Sequence, residues 1–308
     1  MTEQPVCWED SCFRSEHRIV LTQRELNIPG LRTFAWHDMN RAVPALKDHY
    51  HRNCFEITFV TEGSITFCTD RQEQTVRGGD AFLTFPGEVH STNEIPMSVG
   101  EICWMQLSVS EPDNFLFLGP EAAQALIASL YRVSRRCIRT GGGMAARLLK
   151  LLIRDVLKSA RPFDRYQAAN LIVGYLYQLI NSADASGPLV TPDIALACDY
   201  VRDNLCESLT LDEIAAACRL SVSQFKQKFK GQIGVTPRNY INRKKIEQIK
   251  TILTPGANLT RISSDYGFCN SSYFSKVFKK YTGRTPTEFV RSADAAGNPG
   301  APPKKVRG

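Results

Sequence analysis

Residues 258–291 read NLTRISSDYGFCNSSYFSKVFKKYTGRTPTEFVR. A helix-sized segment, a short turn and a second helix follow one another here. Phe274 and Phe278 fall on one face of the second helix, and hydroxyls, amides and lysines fall on the other. Thr285 and Glu288 then have the spacing of a capping box, which opens a last helix. The pattern is that of a helix-turn-helix, which taken singly is a weak signal.

The signal strengthens upstream, because the same plan recurs. An offset of 49 pairs Ser223 with Ser272, Phe225 with Phe274, Phe229 with Phe278, Lys230 with Lys279, Gly234 with Gly283 and Pro237 with Pro286. Before the turn the offset is 48, matching Ile214 to Ile262 and Leu220 to Phe268, so the second turn holds one extra residue. Thr210 with Glu213, and Ser221 with Gln224, supply capping boxes that divide the first copy into two helices rather than one. Between the copies, PRNYINRKKIEQIKTIL (237–253) begins with Pro and stops before Pro255-Gly256, as a connecting helix would.

By periodicity the phenylalanines point inward. The exposed faces are then Ser223, Lys226 and Gln227 on the first reading helix, and Asn270, Ser272 and Lys276 on the second. Amides and lysines can hydrogen-bond base edges, so these six are candidate base readers. Lys228, Lys230, Arg243, Lys244, Lys245, Lys279, Lys280 and Arg284 are candidate phosphate contacts, which give affinity without sequence information. The charge balance agrees: residues 193–308 carry +9 and residues 1–192 carry −2.

Ile262-x4-Gly267-Phe268, Tyr273-Phe274-Ser275-Lys276-x-Phe278-Lys279-Lys280 and Gly283-x-Thr285-Pro286 resemble the DNA-binding domain of the AraC/XylS family of bacterial transcription regulators. The resemblance covers 193–291 and departs at Ser263, where the family usually has Ala. It implies two reading helices in successive major grooves, roughly 34 Å apart on one face of the duplex. It also implies a homodimer, a small-molecule effector, double-stranded DNA and RNA polymerase as partners, and an activator rather than an enzyme.

The N-terminal part has a different texture. From His49, short runs rich in strand formers, FEITFV, GSITFCT, EQTV, DAFLTF and SVGEICWMQL, are separated by Glu62-Gly63, Gly78-Gly79-Asp80 and Pro86-Gly87. They suggest a small barrel or sandwich. His49-x-His51-x4-Glu56-x6-Gly63 and Gly79-x6-Pro86-Gly87-x2-His90-x2-Asn93 resemble the two motifs of the cupin barrel, the second departing by one residue before His90. In metal-binding cupins the matching positions, here His49, His51, Glu56 and His90, converge on one ion, and this donor set suits Zn, Ni, Mn or non-haem Fe. Three roles stay open for them: a divalent metal, contact with a polar effector, or packing. No cofactor is required by the regulator reading; its rivals are a working metallo-cupin enzyme fused to a DNA-binding module and a regulator controlled by its concentration only, with an empty barrel. Phe82, Phe85 and Trp104 read as core.

The expected architecture is α+β and multidomain. It comprises a cupin-like barrel (1–110), a helical part (111–182) with helices at 121–139, 144–159 and 164–182, a linker (183–192), the all-α double helix-turn-helix domain (193–291) and a disordered basic tail (292–308). The apolar stripe Leu171, Ile172, Tyr175, Leu176, Leu179, Ile180 needs a partner, either Leu148 to Leu157 of the preceding helix or a second copy of the chain. A length of 308 residues suits two or three domains of roughly 100 residues. No run of about 18 apolar residues and no basic-then-apolar N-terminus is present, so a cytoplasmic location is expected. The ten cysteines are scattered without C-x-x-C spacing and suit a reducing compartment.

Overall fold

The computed structural model describes residues 4–297 except 71, 94, 141, 142, 160, 185–189 and 208. The middle of the expected linker and residues 298–308 of the expected tail therefore lie outside the described residues.

Among the described residues, twelve strands form the N-terminal part: β1 (Val6–Cys7), β2 (Phe13–Arg14), β3 (Arg18–Thr22), β4 (Leu31–Met39), β5 (His49–Tyr50), β6 (Cys54–Glu62), β7 (Ser64–Thr69), β8 (Gln72–Arg77), β9 (Asp80–Thr84), β10 (His90–Ser91), β11 (Gly100–Ser108) and β12 (Cys137–Arg139). A one-turn helix, α1 (Gln23–Leu26), links β3 to β4, and its Thr22–Glu25 capping box fixes where it starts. The strands build two sheets, ordered β1-β5-β10-β7-β8 and β12-β9-β6-β11-β4-β3-β2. Between them lies a core of Met39, Val60, Ile65, Phe67, Val76, Phe82, Met97 and Ile102, in which the Phe67 and Phe82 rings stack at 4.5 Å.

Helices α2 (Pro120–Tyr131), α3 (Met144–Leu152) and α4 (Arg165–Asp184) cover the larger sheet. This explains why β6 is buried on both of its faces from Cys54 to Val60, one meeting the helices and the other the interior. The stripe on α4 packs on α3 and on the π-helical turn after it: Tyr175, Leu176 and Leu179 are fully buried with Leu149, Leu152 and Leu157. That apolar face is used largely within the chain, with Leu171 and Ile180 at its margins half-buried.

One expectation needs correction. The helix expected at 121–139 stops at Tyr131, and Cys137–Arg139 instead pair with β9, with Ile138 buried deeply in the barrel wall. The segment before His49 belongs to the barrel: β4 pairs with β11 along its length and supplies Phe34 and Trp36 to the core. Phe82 is core as expected; Phe85 and Trp104 are partly buried and packed against the cores, and Trp104 Nε1–H also donates to Asp10 at 3.0 Å.

The C-terminal domain holds α5 (Pro192–Asp203), α6 (Leu211–Ala217), α7 (Val222–Ile233), α8 (Pro237–Ile252), α9 (Leu259–Asp265), α10 (Ser271–Thr282) and α11 (Pro286–Gly297). Residues 292–297, expected in the tail, continue α11. Thr210 and Ser221 form the expected capping boxes, Asn258 and Asn270 cap α9 and α10, and Thr285 with Glu288 opens α11. Each helix-turn-helix turns through a left-handed residue, Arg219 in the first and Gly267 in the second. Gly267 has a specific reason: a Cβ there would meet the Glu207 carbonyl at 3.1 Å and Lys245 Nζ at 3.4 Å.

Two small cores result. One joins Ile194, Ile214, Phe225, Phe229 and Ile241, and the other joins Ile246, Ile249, Ile262, Phe274 and Phe278. Ile241 and Ile246 are both on α8, which therefore belongs to both cores. Lys245, between them, is only 5% exposed, and its ammonium donates to the carbonyls of Glu207 and Tyr266. Among the described residues no helix is long and apolar enough to cross a membrane.

Removing the Lys245 ammonium orphans two buried carbonyls, at a cost of about 1–3 kcal/mol for each group left unsatisfied. Lys245→Met is expected to destabilise the C-terminal domain by roughly 2 kcal/mol or more. Lys244→Met, which breaks only a surface pair with Glu247, should change stability by under about 1 kcal/mol. Urea unfolding followed by circular dichroism distinguishes the two.

Candidate nucleic-acid interface and sensor site

Helix α7 presents Ser223, Lys226 and Gln227 to solvent, and α10 presents Asn270, Ser272 and Lys276; all six are exposed. Positions 223, 227 and 230 on α7, and 272, 276 and 279 on α10, are spaced by four and three and so share one helical face. Phe225 and Phe229, and Phe274 and Phe278, lock the opposite faces into the cores. Asn270 also caps its helix: its Oδ1 accepts the Tyr273 backbone N–H at 2.7 Å, leaving only its amide NH2 to serve a base.

The cations divide. Lys279, Lys280 and Arg284 are exposed around the end of α10, where phosphates would run. Lys245 is the clear departure from the expected phosphate set, since burial and two carbonyl contacts remove it from the surface. Lys228 pairs with Asp193 at 2.6 Å, and hydrogen bonds from Lys228 and then Thr191 hold that carboxyl at about 2. Arg243 and Lys244 both engage Glu247 on their own helix, at 2.9 and 2.7 Å. Lys230 reaches across to Glu62 of the barrel.

In the barrel, the four expected residues do come together. His49 on β5 lies opposite His90 on β10 in adjacent strands, His51 follows β5, and Glu56 comes from β6 in the other sheet. One donor atom from each lies within 4.8 Å of all the others, and all four residues are buried. The three Nδ1 atoms share a feature: His49 Nδ1 is 2.8 Å from the Lys47 carbonyl, His51 Nδ1 is 3.0 Å from that of Trp8, and His90 Nδ1 is 3.0 Å from that of Glu88. A carbonyl can only accept, so each Nδ1 carries the proton, and His51 and His90 turn Nε2 toward Glu56. His51 Nε2 is 2.9 Å from Glu56 Oε2. His90 Nε2 is 3.4 Å from Oε1, yet it is buried without hydrogen-bonding geometry to any partner, so proximity there is not a bond.

The electrostatics follow from this enclosure. Burial alone would raise the Glu56 carboxyl, but the His51 hydrogen bond and charge, with the His90 imidazole close by, hold it well below the usual range. Burial, and then the neighbouring His90, pushes His49 down to about 4, so it is neutral at neutral pH. Burial would lower His51 too, but the Glu56 hydrogen bond and charge override it and raise it. Three imidazole Nε2 atoms and one carboxylate, each braced from behind, fit a divalent transition ion, which would replace the proton that His51 shares with Glu56.

Three contributors were not found from the sequence motifs. Gln106, fully buried on β11 beside Glu56, donates to Glu56 Oε2 at 3.0 Å and to Asp10 at 3.1 Å. Trp8 braces His51 through its carbonyl, and β1 lies parallel on β5. Gln106 carried one usable signal, a polar residue inside the apolar run ICWMQL; Trp8 and Asp10 carried none.

Known protein families match both parts of the chain. The helix-turn-helix domain family matches residues 214–292, and the cupin domain family matches residues 42–99. The xylose operon regulatory protein of Escherichia coli K12 is 25% identical over 235 residues, which cover 75% of this chain and 58% of that protein. The HTH-type transcriptional activator RhaS of Klebsiella pneumoniae strain 342 is 21% identical over 260 residues, covering 82% of this chain and 90% of its own length. A helix-turn-helix domain and a cupin domain in one chain, with operon regulators as relatives, agree with the resemblance to the AraC/XylS family. The chain also aligns with the raffinose operon transcriptional regulatory protein RafR of Pediococcus pentosaceus, at 24% identity over 78% of this chain and 86% of that one. Its span amounts to just over half the length of the xylose operon relative.

Equilibrium dialysis of the purified chain against Ni2+ or Zn2+, read by elemental analysis, is expected to give about one ion per chain. Uptake should be lost in His51→Ala and Glu56→Ala, and affinity should fall about 10–100-fold in Gln106→Leu, which removes a brace on Glu56. Undiminished uptake in His51→Ala would place the metal elsewhere.

Proposed function

We propose that this chain is a sequence-specific, DNA-binding transcription regulator, acting as an activator, whose barrel senses a small polar ligand. The observation that carries the reading is the doubled reader: two units with the same caps, the same inward phenylalanines and the same exposed polar face, set on one connecting helix. A domain of net positive charge suits the phosphate backbone, which supplies most of the affinity. Base edges met by Lys226, Gln227 and Lys276 supply the choice of sequence. One copy carries two readers already, so it can span two successive major grooves; a homodimer would double that number, and RNA polymerase would be the further partner of an activator.

The relatives' names point to sugar operons for xylose and raffinose, and RhaS is named an activator. A sugar-like effector suits an interior that already buries Thr33, Thr58, Thr84, Ser91 and Gln106 beside the histidines. The braced imidazoles favour a second component, a divalent ion at His49, His51, Glu56 and His90, that would serve as an anchor for the effector or as the signal itself.

Repeated selection of bound duplexes from a random library, followed by sequencing, is expected to return two conserved half-sites about one helical turn apart; no enrichment would overturn the reading. Lys276→Ala should relax one half-site only, costing about 1–3 kcal/mol against the preferred base. Lys279→Ala should weaken all sequences alike and lower the slope of log affinity against log salt by about 1.

A further inference from the structure

Both units close their first helix in the same way. After α6 the Leu220 N–H donates to the Ala215 carbonyl and the Arg219 N–H to that of Ala216, each at 2.9 Å. After α9 the Phe268 N–H donates to the Ser263 carbonyl at 2.8 Å and the Gly267 N–H to that of Ser264 at 2.9 Å. This paired closure requires a left-handed residue one past the cap, and glycine is its usual occupant because it has no Cβ to clash. The second unit follows that rule with Gly267, φ +63°. In the first, the equivalent residue at the offset of 48 is Arg219, φ +57°, where an L side chain carries a steric penalty. Arg219 is exposed, and among the described residues its guanidinium has no hydrogen-bond or ion-pair partner to offset that penalty. What it gains within the chain is the weak field at the C-terminus of a helix of 7 residues.

We infer that Arg219 is a phosphate contact of the first reading unit, a strained residue that serves DNA rather than the fold. The inference rests on the DNA-binding reading above. In a helix-turn-helix the first helix crosses the DNA backbone and the second enters the major groove, so the turn between them stands at the groove's edge, where phosphates lie. Arg219 comes two residues before Ser221, the N-cap of α7, and the unpaired first-turn N–H groups of that helix of 12 residues favour an anion in the same region. A guanidinium fits the task, since it is always charged and can present two parallel N–H donors to one phosphate. The first unit also has reason to need it, because Lys228 and Lys230 of its reading helix are drawn to Asp193 and Glu62. In the second unit the same place is closed to a side chain: a Cβ on Gly267 would crowd the Glu207 carbonyl at 3.1 Å and Lys245 Nζ at 3.4 Å. A phosphate contact from the turn therefore belongs to the first unit, and the two readers grip the backbone unequally.

The test reads stability and affinity together, because a residue strained for DNA moves them in opposite directions. Arg219→Gly and Arg219→Asn both suit a left-handed backbone and both remove the charge. In the full chain each is expected to raise the thermal midpoint of the helical circular-dichroism signal by a few degrees. Binding to a mixed-sequence duplex of about three helical turns is followed by fluorescence anisotropy between about 50 and 200 mM salt. Both variants should bind about three- to tenfold more weakly at the low-salt end, and the slope of log affinity against log salt should fall by about 1. Arg219→Lys keeps a cation on the strained backbone, so it should retain most of the slope and the parent's midpoint. Arg202→Gln removes the same charge from α5 and should leave the slope unchanged. Glycine and asparagine variants no more stable than the parent, binding as tight as the parent's, weaker binding with an unchanged slope, or an equal fall of slope in Arg202→Gln each overturn the inference. A parent chain that binds no duplex across this salt range overturns the DNA-binding reading itself, and this contact falls with it.

Discussion

Helix α8 cannot rotate or shift without disturbing two cores at once. Ile241 is packed into the first unit and Ile246 and Ile249 into the second, with the Lys245 ammonium fastened between them to two carbonyls of neighbouring segments. Sixteen residues of helix make a rod of about 24 Å, and its ends are held by the caps of Thr236 and the turn at Pro255-Gly256. Everything proposed for the domain depends on this rod, because two readers identify one composite site only if their separation is fixed. The Tyr281 hydroxyl, at 3.3 Å from the Asn239 carbonyl, adds a second tie between α10 and the start of α8. A buried, doubly satisfied lysine in that place is a costly choice compared with an apolar residue. It suits a position where geometry must be unique rather than merely stable.

The barrel solves a different problem. Its interior buries three imidazoles, a carboxylate, a glutamine and several hydroxyls, groups that destabilise a fold unless each finds a partner. Most do: the Nδ1 atoms against carbonyls, and Glu56 against His51 and Gln106. The one buried nitrogen of the cluster left without a hydrogen bond is His90 Nε2, and it faces the centre. Such an arrangement is not needed to hold two sheets together, since Phe67, Phe82 and their neighbours already do so nearby. It is better matched to holding something else.

The two halves meet through short, stiff turns rather than through a broad apolar face. Contacts of that kind are individually weak. The chemistry on the barrel side is carboxylate and hydroxyl, and on the helical side it is lysine, arginine and amide. Those latter groups are the ones a DNA backbone would otherwise recruit.

The sequence by itself determined the doubled helix-turn-helix almost completely. Capping residues, helical periodicity and the 49-residue repeat are local signals, and a cap or a buried phenylalanine face needs only neighbours a few residues away. It also marked His49, His51, Glu56 and His90 as a set, since motif spacing survives in the linear chain. Tertiary structure alone decided what required distant partners. Lys245 looked like any other member of a basic run until the Glu207 and Tyr266 carbonyls closed around it, and Gln106 became a brace only because β11 lies in register beside β6. Residues 137–139 looked helical by continuation but are a strand, because an edge of the barrel wall was free to pair with them. Glu62 read only as part of a turn, for its further meaning lies in Lys230 and Asn239, 168 and 177 residues further along the chain. Local free-energy preferences are written in the sequence order; long-range pairing is settled only when the chain closes on itself.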